Sequence, residues 1–385
     1  MHSKNITYYQ VQLEYALGVP FIDGNRLKAL QNGAEIFPAM LAAIAQAQDS
    51  VDFETFVYWQ GDIARRFADA LAAKAREGKT VRVLLDAFGA KTISVTLVEK
   101  MQSAGVEVRW FRPLATWRLW RNDKRTHRKI LVIDDRIGFT GGVGIAEEWE
   151  GNASNPSEWR ETHFKLDGPA VRGLKSAFLD NWNEAGDWTW DGQRTPTPAH
   201  PDGEPVQIVR ASSTIGWTEM ASLLRALVSV SRQSLTIVTA YFVPDAKLVD
   251  ILCAAAQRGV EVRLLLPGKY IDKRLPQLAG QLSFERLLAG GVKIWIYQRT
   301  MLHAKLMTVD GTLACVGSAN LNHRSLGKDE ECCAVVLSPA LAAELESDFI
   351  ADCSHAEQLT LAAWKGRSTW LRAKERLARL LIEQL

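Results

Sequence analysis

Apolar and polar positions alternate between two periods along residues 42–112. A helical stripe in AAIAQAQDS gives way to a period near two in VDFETFVYW. A second helical stripe follows in IARRFADALAAKAREG, then a strand VRVLLDAF, a helix LVEKMQSAG and a strand VEVRWFRP. Residues 226–297 run through the same order as ALVSVSRQS, LTIVTAYFV, KLVDILCAAAQRG, VEVRLLLPG, FERLLAGG and VKIWIYQ, and AREGKTVRVLL superposes almost residue for residue on AQRGVEVRLLL. The chain is therefore a doubled unit. Strands alternating with helices that close on Gly, Asp or Ser imply βαβ crossovers, so the expected fold class is α/β, two duplicated halves each with a mixed, mostly parallel sheet flanked by helices. Between the units, residues 186–206 hold four Pro and three Gly with little periodicity. This predicts an N-terminal arm (1–27), a first half (28–190), a linker (191–204), a second half (205–358) and a basic amphipathic helix (359–385).

Composition agrees with a doubled globular unit. The 385 residues are about twice the ~150 of a common domain. With 47% apolar and 23% charged residues the chain buries a substantial core, which excludes a disordered chain. The formal charge of +2 excludes a protein that coats nucleic acid by charge alone. That average conceals patches. Arg109 to Lys129 carry eight basic residues and one acid, net +7, and Lys365 to Leu385 carry six and two, net +4, so the remainder carries −9. The first patch holds Trp117 and Trp120, suited to lipid headgroups. The second places Trp370, Leu377, Leu381 and Leu385 opposite Arg372, Arg376 and Arg379. It reads equally as an interfacial helix on an anionic leaflet and as a helix docked on its own domain. The first twenty residues lack a secretory pattern, and the longest apolar run, Ala39 to Ala45, is seven residues against the ~18 of a membrane span. The expected location is cytoplasmic, peripherally attached to the inner membrane. Five cysteines, odd in number and without CxxC spacing, argue against a disulfide framework and a zinc site.

The chemistry-bearing pattern occurs once per half. His127-Arg128-Lys129 runs through ILVI to Asp134, and His303-Ala304-Lys305 runs through LMTV to Asp310, both reading HxKxxxxD with the histidines 176 residues apart (303 − 127). In a strand, positions i and i+2 share a face, so each His stands beside its Lys. The aspartates fall at odd spacing, which gives them a turn-fixing role. If Asp134-Asp135 and Asp310-Gly311 are two-residue hairpin turns, opposing residues sum to 269 and 621. Gly142 then lies across from His127 and Ser318 across from His303. Asn320 lies just beyond Ser318, and Gly144 takes its place in the first half.

These residues resemble the phospholipase D superfamily, whose signature is two HxKxxxxD motifs each followed by G[SG]xN, and the resemblance covers essentially the whole chain. THRKILVIDDRIGFTGGVGIAEEW, WRETHFKLDGPAV and LHAKLMTVDGTLACVGSANLNHRS are most similar to bacterial cardiolipin synthases, in the form without N-terminal membrane spans. The resemblance implies halves packed with pseudo-two-fold symmetry around one site. It counts His127, Lys129, Asp134, His303, Lys305 and Asp310 as catalytic, Ser318, Asn320 and Gly142 as substrate-binding, and Glu331 with its counterpart Glu161 as supporting. Glu161 is equally readable as a surface partner of Arg160. His163 reads as structural, and His323 as a lesser candidate for the pocket.

Two imidazoles beside two ammonium groups suit displacement at a phosphodiester. One neutral His attacks phosphorus while the other protonates the departing alkoxide, and the roles reverse with the incoming alcohol or water. Lys129, Lys305 and Asn320 would stabilise the non-bridging oxygens. No cofactor and no metal are expected. The leading expectation is a phosphatidyl transferase of the cardiolipin synthase kind, with phosphatidylglycerol as donor and acceptor, anionic phospholipids and a membrane surface as partners, and no nucleic acid favoured. The alternatives are a hydrolytic phospholipase D, a nuclease, or a non-catalytic membrane-binding protein. The resemblance favours His127 as nucleophile.

Overall fold

The structure is a computed structural model that describes residues 2–113, 123–189, 196–212, 218–368 and 375. The first half supplies β1 (Ile22–Gln31), β2 (Ser50–Thr55), β3 (Thr80–Asp86), β4 (Glu107–Phe111), β5 (Ile130–Ile133), β6 (Ile137–Gly141) and β7 (Thr162–Asp167). The second supplies β8 (Glu204–Ala211), β9 (Ser234–Val238), β10 (Glu261–Pro267), β11 (Lys293–Tyr297), β12 (Leu306–Val309), β13 (Leu313–Gly317), β14 (Glu331–Leu337) and β15 (Ala356–Gln358). All join one sheet in the order β15-β11-β10-β9-β12-β13-β14-β8-β1-β7-β6-β5-β2-β3-β4. Read outward from the antiparallel β1–β8 junction, the two wings repeat each other strand for strand, β15 being an added edge.

The parallel content is lower than the helix–strand alternation predicts. Only β2-β3-β4 and β9-β10-β11 pair in parallel. The other ten described pairings are antiparallel. Crossover helices serve the three parallel strands of each wing, but the HxK strands return through tight turns into antiparallel hairpins.

Alternation along the strands builds cores on both faces. Leu131 and Ile133 face the core of the first half, and Met307 and Val309 that of the second. Ile130, Val132 and Leu306 face a third core, in which Phe178 and Trp182 of the first half meet Val238, Val336 and Phe349 of the second. The halves are thus welded by a shared apolar layer as well as by the β1–β8 ladder.

The segment expected as an arm is part of this body. The helix His2–Leu17 buries Tyr9 and Leu13 in the core of the second half, and the boundary expected at residue 28 falls inside β1. Near the C-terminus, Thr360 caps a short helix Leu361–Lys365. Most of the expected basic helix, with Trp370 and Leu377 to Leu385, lies outside the described residues, as do Trp117 and Trp120. Among the described residues no helix is long and apolar enough to cross a membrane, and the five cysteines are free thiols.

Candidate active site

Each HxK segment enters its strand from a short stretch zipped to the other half. The His127 amide donates to the Glu330 carbonyl at 2.9 Å and the Glu330 amide to the Arg125 carbonyl at 2.9 Å. Reciprocally, the His303 amide donates to the Arg160 carbonyl at 2.7 Å and the Arg160 amide to the Met301 carbonyl at 2.8 Å. The next residue along each partner strand is a fully buried glutamate, and the two carboxylates cross over. Glu331 of the second half holds His127 Nδ1 at 3.0 Å, and Glu161 of the first half holds His303 Nδ1 at 2.7 Å. With Nδ1–H donating to a carboxylate, the Nε2 lone pair is left for chemistry.

The lysines lie against their own histidines. Lys129 Nζ donates to the His127 carbonyl at 2.8 Å and sits 5.6 Å from the Phe56 ring centre. Lys305 Nζ lies 3.0 and 3.3 Å from the two ring nitrogens of His303. Phe56 meets the His127 ring edge-on at 5.3 Å, and Trp149 and Trp159 approach His303, each at 5.2 Å.

Burial dominates the electrostatics. Largely desolvated, and beside Lys129 and Lys305, the His127 imidazole is held down to about 4 against the opposing pull of Glu331. Burial, with Lys305 and Lys129, holds His303 well below the usual imidazole range. The same desolvation brings Lys129 down to about 7 and Lys305 to about 8. The carboxylates part company. Burial raises Glu161, whereas in Glu331 it is outweighed by His127, Lys129 and the Ser318 hydroxyl, which hold the group below the ordinary range. His127 is therefore a neutral imidazole on a firmly ionised carboxylate.

The hairpins carry one residue more than the sequence reading allows. Asp134, Asp135, Asp310 and Gly311 all take positive φ, and Thr312 N–H closes onto the Val309 carbonyl at 3.0 Å, as a two-residue turn requires. Thr312 is then bulged, and the ladder resumes with Val309 opposite Leu313 and Ile133 opposite Ile137, so opposing residues sum to 622 and 270. Ser318 is consequently not set across from His303. Its hydroxyl donates to Glu331, and so supports His127. Gly142 lies against Glu161, where an added Cβ would come within 2.4 Å of Oε2. Asp134 and Asp310 sit at the far ends of the strands from the histidines. Asp134 accepts from the amides of Gln48, Asp49 and Ser50, and Asp310 from those of Arg232, Gln233 and Ser234 and from the Tyr9 hydroxyl. They pin the turns and are not brought to the site.

The two half-sites also differ where Asn320 of the second stands against Gly144 of the first. Asn320 is buried, and its Oδ1 has no partner among the described residues. In the first half a Cβ on Gly144 would fall 2.7 Å from Val57 and 3.1 Å from Trp149, which leaves no room for an amide. A cleft of about 370 Å³ opens on the Asn320 side, lined by Phe56, Arg125, His127, Tyr241, Asn320 and Asn322 among others. Trp149 and Ser325 were not anticipated. Trp149 Nε1 donates to Glu161 at 3.3 Å and Ser325 Oγ to Glu331 at 2.6 Å. They are 176 residues apart (325 − 149), the interval between the histidines, and that interval was the signal that marked them. His163 is buried against Gly141 and held down to about 3 by desolvation, and His323 lines a neighbouring cavity. Among the described residues no cluster of side chains suits a metal ion.

Duplicated α/β wings that pool two His–Lys pairs under crossed carboxylates define a phospholipase D-like protein. A family model described as "Cardiolipin synthase, PLD-like domain" matches residues 40–153 and 224–353. The cardiolipin synthase 1 of Bacillus cereus is 32% identical over 374 residues, covering 94% of this chain and 73% of that protein. The major cardiolipin synthase of Bacillus subtilis is 30% identical over 386 residues, covering 98% and 79%. The chain belongs to the cardiolipin synthase family. Among solved structures, the phosphatidylserine synthase of Haemophilus influenzae shares the fold at a TM-score of 0.74 and 14% identity, covering 97% of both chains.

Proposed function

We propose that the chain transfers a phosphatidyl group between alcohols, with phosphatidylglycerol as donor and acceptor, giving cardiolipin and glycerol at a membrane surface. The observation that carries this reading is the crossed pairing, in which His127 and His303 each have Nδ1 fixed by a carboxylate of the opposite half.

In the first step the neutral Nε2 of His127 attacks phosphorus. An N–P bond forms, the bond from phosphorus to the leaving glycerol oxygen breaks, and His303 supplies the proton that oxygen needs. His303 is held neutral by burial and by the two lysines, and an entering phosphodiester anion offsets their charge, which raises the imidazole toward protonation. In the second step His303 takes the proton of the acceptor hydroxyl, whose oxygen displaces His127 from phosphorus. Lys129, Lys305 and the Asn320 amide serve the non-bridging oxygens, where a preorganised donor is worth about 3–4 kcal/mol. The opening on the Asn320 side and the firmly ionised Glu331 favour His127 as nucleophile.

Mass spectrometry of lipids from cells expressing the protein, beside a His127→Ala control, tests this. Cardiolipin is expected to accumulate only with the intact protein. Unchanged cardiolipin overturns the reading, and accumulation of phosphatidic acid in its place marks water as the acceptor.

A further inference from the structure

Exposed large apolar side chains are few on the described surface, and two of them lie just after β3: Phe88 (49% exposed) in the loop and Val95 (68%) at the first position of the helix Val95–Ser103 that the loop leads into. Phe88 is held outward by its surroundings. The Asp86 carboxylate accepts from the amides of Phe88 and Gly89, each at 2.9 Å, and Trp59 Nε1 donates to the Gly89 carbonyl at 2.8 Å. A Cβ on Gly89 would sit 2.3 Å from the Phe56 carbonyl. An aromatic ring that a rigid loop keeps half in water calls for an explanation.

The equivalent strand of the other wing, β10, is followed by an equivalent loop, GKYIDKRL. The Arg274 guanidinium donates to the Lys269 carbonyl at 2.6 Å, and Gln277 holds the Pro267 and Gly268 carbonyls. Phe88 and Lys273 both line the cleft that holds His127, so the two loops border it as lips. Both carry cations over aromatic faces: Lys91 lies 5.0 Å from the Phe88 ring centre, Lys269 4.8 Å from that of Tyr270, and Lys273 5.6 Å from that of Tyr241. Residues 87–95 and 268–275 together hold four basic residues and one acid, net +3.

We infer that these lips are a docking surface for an anionic lipid bilayer. Phe88 and Val95 enter the acyl–headgroup boundary while Lys91, Lys269, Lys273 and Arg274 meet the phosphates, so that a phospholipid reaches His127 without leaving the membrane. Apolar tips ringed by cations suit this interface, where each kind of side chain finds its own layer. The partner is deduced from the lips alone, but its benefit to turnover rests on the transferase reading above.

The test uses the full chain. Phe88→Ser combined with Val95→Ser is expected to weaken co-sedimentation with phosphatidylglycerol-containing vesicles by roughly ten-fold or more. Turnover on those vesicles should fall in step, and by a clearly larger factor than turnover of monomeric short-chain phosphatidylglycerol. Lys91→Glu with Lys269→Glu is expected to abolish the preference for anionic over phosphatidylcholine vesicles. Undiminished vesicle binding by the first variant, an equal loss on monomeric substrate, or an unchanged lipid preference in the second overturns the proposal. If the intact protein turns over neither form of substrate, the transferase reading fails, and sedimentation still decides the docking surface.

Discussion

At the scale of single residues, four ionisable groups share the site, three of them buried and His127 partly exposed, and on the proposed mechanism their displaced titrations set its working range. Below about 4 His127 is protonated and cannot attack, and above about 7 to 8 Lys129 and then Lys305 lose the charge that receives the phosphodiester. The pH profile of kcat/KM reports groups of the free enzyme. It should therefore rise on the acid side near 4, decline as His303 loses the proton it must donate, and end in an alkaline limb near 7 to 8 set by the lysines. Lys129→Arg keeps its charge at every accessible pH. It should leave the alkaline limb to Lys305 alone, about one unit higher, at some cost in rate. A wild-type profile that is flat from pH 6 to 9 contradicts these assignments.

At the scale of elements, the hairpins after the HxK strands decide what each half-site contains. Gly142 stands where Ser318 stands in the other wing, and it leaves space for the Glu161 carboxylate. Gly142→Ala should push Glu161 off His303 and lower kcat by about a hundred-fold or more, with a loss of about 1–3 kcal/mol of stability in chemical denaturation. Gly311→Ala is the contrasting case. Its φ is +57°, with nothing near the added Cβ, so it should lose about 1 kcal/mol through backbone strain and keep full kcat.

The same elements explain what the sequence made legible. The doubled helix–strand order, the HxK pairs and the turn residues are local patterns, and the structure brings His127, Lys129, His303, Lys305 and Asn320 together. The register slipped by one because a two-residue turn at Asp310-Gly311 does form, but Thr312 then bulges, and no residue type there announces it. The carboxylate crossing was hidden for another reason. The residues it joins are 204 and 142 positions apart, brought together by the shared sheet. The emphasis on parallel pairing came from reading crossovers, which account for only three strands of each wing.

At the scale of the whole molecule, the connection between the wings is dispensable to their union. Phe178 and Trp182 share a core with Val238 and Phe349, and fully buried Arg128 donates to the carbonyls of Ala177 and Ala211 on opposite sides of the divide. A protease site inserted after Pro198, in an exposed stretch, should therefore yield two fragments that co-elute under native conditions and retain kcat. Fragments that separate with loss of activity would show that the linker, and not the shared layer, holds the site.

The crossed carboxylates also bear on synthesis. A ribosome delivers His127 and Lys129 some two hundred residues before Glu331, and folding during synthesis starts from the N-terminal side. Until the second wing arrives, His127 has nothing to fix its tautomer and no proton donor opposite. On the proposed mechanism, a nascent chain beside a membrane full of phosphodiesters thus carries its nucleophile unarmed, and translation to the far side of residue 331 is what completes it.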